Sequence, residues 1–115
     1  MEKVIKNIDS GIILNLSDEV AVLPGQIVSK TLAQSSYYTL TLFAFDQDEE
    51  ISTHESEGDA LLSVLEGSAR VLLDGEEHLV KAGETILMPR RVPHAVYALE
   101  AMKMHLLVVF PDRKS

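Results

Sequence analysis

Residues 59–94 read DALLSVLEGSARVLLDGEEHLVKAGETILMPRRVPH, and this stretch decides the fold. Short apolar runs follow one another in it, and each run ends at a glycine, an Asp-Gly pair or a proline. The pair Asp74-Gly75 favours a two-residue turn of type I′, because both central positions of that turn need a positive φ. Proline cannot donate a hydrogen bond to a sheet, so Pro89 and Pro93 mark places where strand pairing stops. The pattern predicts an antiparallel meander.

The segments on either side of the meander also predict strands. Residues 37–45 are rich in β-branched and aromatic residues and give the clearest predicted strand, while residues 26–32 and 103–110 predict two more. The weak alternation of polar and apolar residues over 1–23 predicts short strands broken by turns, with one helical turn near Asp18. About ten short strands spaced by turns are typical of an all-β barrel.

Two parts of the chain resemble the two motifs of the cupin family. Residues 60–67, ALLSVLEG, look like the end of the first motif, and the spacing of Gly83, Pro89 and His94 resembles the second. The resemblance covers residues 37–110, most of the chain. It implies an all-β double-stranded β-helix, which is the jelly-roll barrel of the cupins.

The resemblance also implies which residues line the cavity. Cupins that bind a metal usually carry two histidines one residue apart, a glutamate four residues after the second, and a final histidine in the second motif. On that pattern His54 and His94 match, whereas Ser56 replaces the second histidine and Ala60 replaces the glutamate. Half of the usual ligand set is therefore missing, and the implied site is less charged than that of a complete metal cupin.

Two interpretations of this site stay open. In the first, His54 and His94 form the polar end of an apolar pocket that binds a small molecule, and it is open whether a reaction follows. In the second, they bind one divalent transition metal (Zn, Fe, Ni, Cu or Mn), as in a cupin enzyme of the oxygenase or isomerase type. A third protein ligand would then come from Asp59, Glu57 or Ser56, although strand alternation turns Asp59 away unless a bulge precedes it.

The other two histidines have contrasting surroundings. His78 stands among charged residues, so we expect it at the surface. His105 lies between two apolar residues of a predicted strand. It is either a half-buried histidine with a backbone partner or a third histidine of the pocket, and we include it among the candidate pocket residues. The doublet Arg90-Arg91 predicts a solvated turn, although a cation at a pocket mouth could steer an anionic ligand.

The composition limits the classes of function. The chain has 115 residues, which favours one domain over residues 1–115, and the resemblance implies that this is a cupin domain. The formal net charge of −8 argues against a nucleic-acid partner. Without cysteine there are no disulfides and no thiolate metal ligands. No apolar run reaches the ~20 residues that span a bilayer, and the first residues lack the apolar segment of a signal peptide. We therefore expect a cytoplasmic protein without membrane contact.

A homodimer is the expected assembly. Residues 37–45 carry bulky side chains on both faces of the predicted strand. Together with the predicted N-terminal strands, they offer more apolar sheet surface than one small barrel can cover, and related small cupins generally pair this way. A third possibility is a sensory or stabilising partner that uses the barrel only to dimerise. The sequence shows no helix-turn-helix that would make it a direct DNA-binding regulator.

Overall fold

The computed structural model describes residues 4–112, and within them a short 3-10 helix, Leu16–Glu19, precedes nine strands. The strands are β1 Ile27–Gln34, β2 Tyr38–Phe45, β3 Glu50–His54, β4 Asp59–Glu66, β5 Ser68–Leu73, β6 Glu76–Lys81, β7 Thr85–Met88, β8 His94–Ala98 and β9 Met102–Val109. No helix in this part of the chain is long and apolar enough to cross a membrane. The all-β prediction is confirmed.

The strands form two antiparallel sheets. The order is β1-β2-β9-β4-β7 in the five-stranded sheet and β3-β8-β5-β6 in the four-stranded sheet. From β2 onward the chain passes repeatedly from one sheet to the other, so that β3 pairs with β8 and β4 pairs with β9 despite their separation in sequence. This winding is that of a double-stranded β-helix, which confirms the predicted jelly-roll barrel.

Side chains between the two sheets form the main core. On β4 every second residue points inward, and Ala60, Leu62 and Val64 are all buried as a result. The other buried members come from both sheets: Phe45, Ala69, Val71, Val80, Met88, Val96, Ala98, Met102 and Met104. The barrel interior is therefore apolar.

The hairpin of β5 and β6 has the turn that its sequence predicts. Asp74 and Gly75 both have positive φ, 51° and 81°, and Leu73 pairs directly with Glu76 across the turn. These are the features of a two-residue type I′ turn. The turn sets the register that places Val80 of β6 in the core beside Ala69 of β5.

The prediction of strands in residues 1–23 is wrong for the part that the structure describes, and residues 1–3 lie outside that part. Between residues 4 and 26 there is only the 3-10 helix, which matches the predicted helical turn. Positive φ angles at Asn7 and Gly11, 66° and 72°, interrupt an extended backbone here. The segment instead packs on the outer face of the five-stranded sheet in a second apolar cluster, which includes Ile8, Leu16, Val20, Val22, Leu32, Leu42 and Ala44.

Two chain connections lie side by side at one end of the barrel. Residues 55–58 join β3 to β4, and residues 89–93 join β7 to β8. The N–H of Arg91 donates to the carbonyl oxygen of Ser56 at 2.8 Å, which ties the two connections together. We call these connections, with the strand residues that adjoin them, the mouth of the barrel.

Candidate functional site

Two histidines face each other at the mouth. His54 ends β3, His94 begins β8, and the two are register partners. Their ring centroids are 4.3 Å apart, and the ring planes make an angle of 62°. A register shift in β3 between Ile51 and His54 allows both of these residues to face the same side, although they are three positions apart.

The two rings differ in their exposure to solvent. His94 is 4% exposed and shares its strand face with the core residues Val96 and Ala98, whereas His54 is exposed. His94 therefore stands at the end of the apolar interior and His54 stands nearer to solvent.

The backbone fixes the tautomer of each ring. Nδ1 of His54 lies 2.9 Å from the carbonyl oxygen of Ser52, and Nδ1 of His94 lies 3.1 Å from the carbonyl oxygen of Val92. Because a carbonyl oxygen can only accept, each Nδ1 carries the proton and donates it. In the neutral ring this leaves the lone pair on Nε2, so the pair offers two acceptor nitrogens.

Burial favours the neutral form of His94. It lowers the pKa of His94 below the ordinary value of 6.5, and the nearby His54 lowers it further. The hydrogen bond to the carbonyl of Val92 raises the pKa, but by less than burial lowers it. At neutral pH the Nε2 of His94 is therefore available to accept a hydrogen bond or to bind a metal ion.

The two small residues in the family's ligand positions lie in different surroundings. Ala60 is 2% exposed and faces the interior between its register partners Met88 and Val108. A methyl group thus lines the wall where a complete metal cupin has a carboxylate. Ser56 lies in the connection between β3 and β4, and its Oγ accepts a hydrogen bond from the N–H of Gly58 at 3.1 Å.

The acidic residues of the mouth have other partners. Asp59 is exposed, and its Oδ1 accepts a hydrogen bond from the main-chain N–H of Arg90 at 2.8 Å. No register shift separates Asp59 from Ala60, so strand alternation puts their side chains on opposite faces of β4. Glu57 forms an exposed ion pair with Arg91 at 3.4 Å, of the kind that contributes little to stability.

The donors at the mouth do not fit a metal site with three protein ligands. In residues 4–112, no three His, Cys, Asp or Glu side chains form a group that could hold a metal ion. Catalytic zinc usually has three protein ligands, and non-haem iron usually has two histidines and one carboxylate. The mouth supplies two imidazoles without the carboxylate.

The structure does not bring His105 together with His54 and His94. Strand alternation directs Met104 into the main core and His105 to the outer face of the five-stranded sheet, where its register partners are Leu42 and Ser63. Burial lowers the pKa of His105 there. His105 is therefore half-buried, as one interpretation of the sequence has it, but on the other side of β9 from the barrel interior.

His78, which the sequence predicts at the surface, is half-buried rather than fully exposed. Its register partner on β5 is the core residue Val71, and it lines a cleft of about 270 Å³ between β6 and β7, the edge strands of the two sheets. The charged neighbours of His78 obscured this position, because Glu77 and Lys81 alternate to the outer face of β6, whereas Glu76 shares the face of His78 at the end of the strand. The cleft shares no lining residue with the mouth.

Sequence reasoning did not distinguish Arg90 from Arg91, either as part of a solvated turn or as a cation that could steer an anionic ligand. The solvated turn predicted for Arg90-Arg91 describes Arg91, which is exposed, but Arg90 is half-buried and its Nε is inaccessible to solvent. The available signal was the position of Arg90 directly after Pro89, where a strand of the barrel ends at the mouth.

Comparisons with known proteins agree with this architecture. The profile of the cupin domain matches residues 41–110. A conserved protein of unknown function from Streptococcus pyogenes is 40% identical, with a TM-score of 0.94 over 96% of this chain and 97% of that one. A cupin superfamily protein from Desulfitobacterium hafniense is 26% identical, with a TM-score of 0.89 over 93% of this chain and 98% of that one.

The barrel also occurs in an enzyme. Salicylate 1,2-dioxygenase from Pseudoaminobacter salicylatoxidans is 19% identical, with a TM-score of 0.68 over 82% of this chain and 28% of that one. At this identity the similarity concerns the fold alone. No curated protein matches the sequence.

Proposed function

Because this chain belongs to the cupin family, we propose that its barrel binds a small molecule at the mouth, with His54 and His94 at the polar end of an apolar pocket. The observation that carries the proposal is the matched arrangement of the two rings. Each ring donates from Nδ1 to a backbone carbonyl, which leaves two Nε2 acceptors within one small region. The reaction, if there is one, is unassigned.

The surroundings of the pair favour a ligand with an apolar body. Leu73 is the register partner of His94 on β5, and Ile51 is the register partner of Val96, so aliphatic side chains adjoin the pair within the same sheet. Small-molecule sites usually combine such walls with a few convergent polar groups. A ligand that places a hydroxyl or N–H group against the two Nε2 atoms would match this arrangement.

A cupin enzyme dependent on a divalent metal, of the oxygenase or isomerase type, is the second candidate. The Nδ1 hydrogen bonds favour it, because a histidine that binds a metal usually donates its other ring N–H to a carbonyl or carboxylate. His54 and His94 would hold the ion, which would supply Lewis-acid chemistry. Asp59 could become a third ligand only if its hydrogen bond with the main-chain N–H of Arg90 were broken. The missing third ligand places this candidate second.

Metal content and ligand binding separate the two candidates. We expect the untagged protein to contain far less than one equivalent of zinc, iron, nickel, copper or manganese, and its thermal midpoint to be unchanged by a chelator. Small apolar alcohols, phenols and carboxylic acids should shift the ring signals of both histidines in NMR titrations, and His54→Ala and His94→Ala should weaken binding. Stoichiometric metal with a midpoint lowered by chelator would favour the enzyme. Binding that moves neither ring signal would reject the site.

The expected homodimer would use the outer face of the five-stranded sheet. One row of leucines crosses four neighbouring strands there: Leu40 on β2, Leu107 on β9, Leu61 on β4 and Leu87 on β7. Leu61 is 38% exposed and Leu87 is 51% exposed. A second copy presents the same row, so packing about a two-fold axis would cover both faces and remove a contiguous apolar patch from water.

A further inference from the structure

Arg90 lies at the mouth, in the connection that leads from β7 to His94. Ile86 and Met88 on β7 face the main core. β7 ends at Met88, and Arg90 follows in a turn of the connection, where it is half-buried. The hydrogen bond from its main-chain N–H to Asp59 holds this part of the connection in place.

The guanidinium of Arg90 contains a buried donor that lacks an acceptor. Its Nε is buried and has no hydrogen-bond partner among residues 4–112. The four ion pairs observed in this part of the chain use Lys30, Arg70, Arg91 and Lys103, so Arg90 forms none of them. Leaving such a donor unsatisfied destabilises the protein, and the cost is larger when the group is charged. An orphaned buried donor at a candidate site therefore calls for a partner beyond residues 4–112, and a bound molecule would supply one.

The acids of the mouth that have defined partners do not supply this acceptor. Glu57 pairs with the guanidinium of Arg91 at 3.4 Å, and Asp59 accepts from the main chain of Arg90 rather than from its side chain. The two neighbouring arginines thus differ: Arg91 is exposed and paired, whereas Arg90 is half-buried and unpaired. Of these two arginines, only Arg90 has a buried donor without a partner among residues 4–112.

We propose that the ligand of the mouth is a small monocarboxylate, whose carboxylate group is bound by the guanidinium of Arg90. The planar fork of the guanidinium matches a carboxylate, and hydrogen bonds between two charged groups are stronger than neutral ones. A single guanidinium balances a single negative charge, which favours a monocarboxylate over a phosphate ester. This inference rests on the proposed function, since His54 and His94 would accept hydrogen bonds from the rest of the same ligand.

Matched pairs of probes test the proposal in NMR titrations: benzoate with benzamide, and hexanoate with hexanamide. The two members of each pair have nearly the same shape and differ in charge. We expect the wild-type protein to bind the carboxylates at least about tenfold more tightly than the amides. Arg90→Met should remove this preference, while the matched control Arg91→Met should retain it.

The stability of the ligand-free protein gives a second readout. Methionine keeps the apolar stem of Arg90 and removes the unsatisfied donor, so Arg90→Met should leave the thermal midpoint unchanged or raise it. If Arg90 had a purely structural role, its replacement would instead lower the thermal midpoint. A midpoint lowered by several degrees in Arg90→Met, but not in Arg91→Met, would overturn the proposal.

The outcomes separate this inference from the function on which it rests. If acids and amides bind equally and both shift the histidine ring signals, or if Arg90→Met keeps the preference, the carboxylate assignment is wrong and the histidine pocket stands. If carboxylates bind through Arg90 without moving either ring signal, the proposed function fails and the inference fails with it. If none of the four probes binds, both are overturned.

Discussion

Replacement of Gly58 by alanine should destabilise the barrel through a steric clash at the mouth. A Cβ atom at this position would lie 2.5 Å from the carbonyl oxygen of Val109 and 2.8 Å from Cγ1 of Val108. Normal contacts between carbon atoms are about 3.5–4.0 Å, so neighbouring atoms must move by roughly 1 Å. Val109 lies on β9, which is paired on both sides by β2 and β4 and cannot shift freely. We expect a loss of about 1–3 kcal/mol in the free energy of unfolding.

Urea unfolding followed by circular dichroism measures this loss, and each kcal/mol should lower the thermal midpoint by roughly 4 °C. Gly75→Ala is the control for a glycine replacement without a steric clash, because a Cβ at Gly75 meets open space. Its φ of 81° is unfavourable for alanine, so this variant should lose about 1–2 kcal/mol through the backbone conformation alone. Gly58→Ala should also shift the ring signals of His54 and His94, whereas Gly75→Ala should not. If Gly58→Ala were as stable as the wild type, the close approach of the mouth to β9 would be wrong. Full recovery on adding Val108→Ala would assign the clash to that side chain alone.

Three further predictions concern pH, assembly and the mouth. Burial lowers the pKa of His94 and of His105 in the native state, so the unfolded state binds more protons as the pH falls. The free energy of unfolding should therefore be at its full value above about pH 6.5 and decrease as the pH drops through the native pKa values. His94→Gln should reduce this loss in urea unfolding between pH 7.5 and pH 5, and an unchanged loss would contradict the assignment. If the protein forms the proposed dimer, Leu87→Glu should convert it to a monomer in light scattering, whereas Leu79→Glu, at a 56% exposed position on the other sheet, should not. A wild-type monomer would contradict the proposed dimer. Asp59→Ala should cost about 0.5–1.5 kcal/mol in unfolding experiments without altering metal content, and a loss of bound metal would show instead that Asp59 is a ligand.

The fold could be predicted because its signals are local. The Asp74-Gly75 turn needs only the conformational freedom of its own two residues, and the structure shows both φ angles positive. Pro89 and Pro93 both lie in the connection between β7 and β8, where strand pairing stops as predicted. The N-terminal prediction was wrong because its alternation reflects packing on the outer face of the sheet, while Asn7 turns the backbone out of an extended conformation.

The site was less predictable because it depends on which face of a strand a residue occupies. β9 is apolar on both faces, one toward the main core and one toward the outer cluster and the leucine row, so the sequence around His105 does not indicate its direction. The shift in β3 that aligns His54 with Ile51 has no sequence signal comparable to Asp-Gly. For Arg90 the decisive property is an unpaired buried Nε, which only a three-dimensional structure reveals.

The protonation of the two histidine rings is the property on which the proposed binding site depends. Long-range ¹H–¹⁵N spectra of the ligand-free protein at a pH of about 8, well above the ordinary histidine pKa, report the tautomer of each ring directly. We predict that His54 and His94 both carry the proton on Nδ1 and leave Nε2 as an acceptor. A proton on Nε2 of either ring would make that ring a donor at the mouth and would contradict the proposed site.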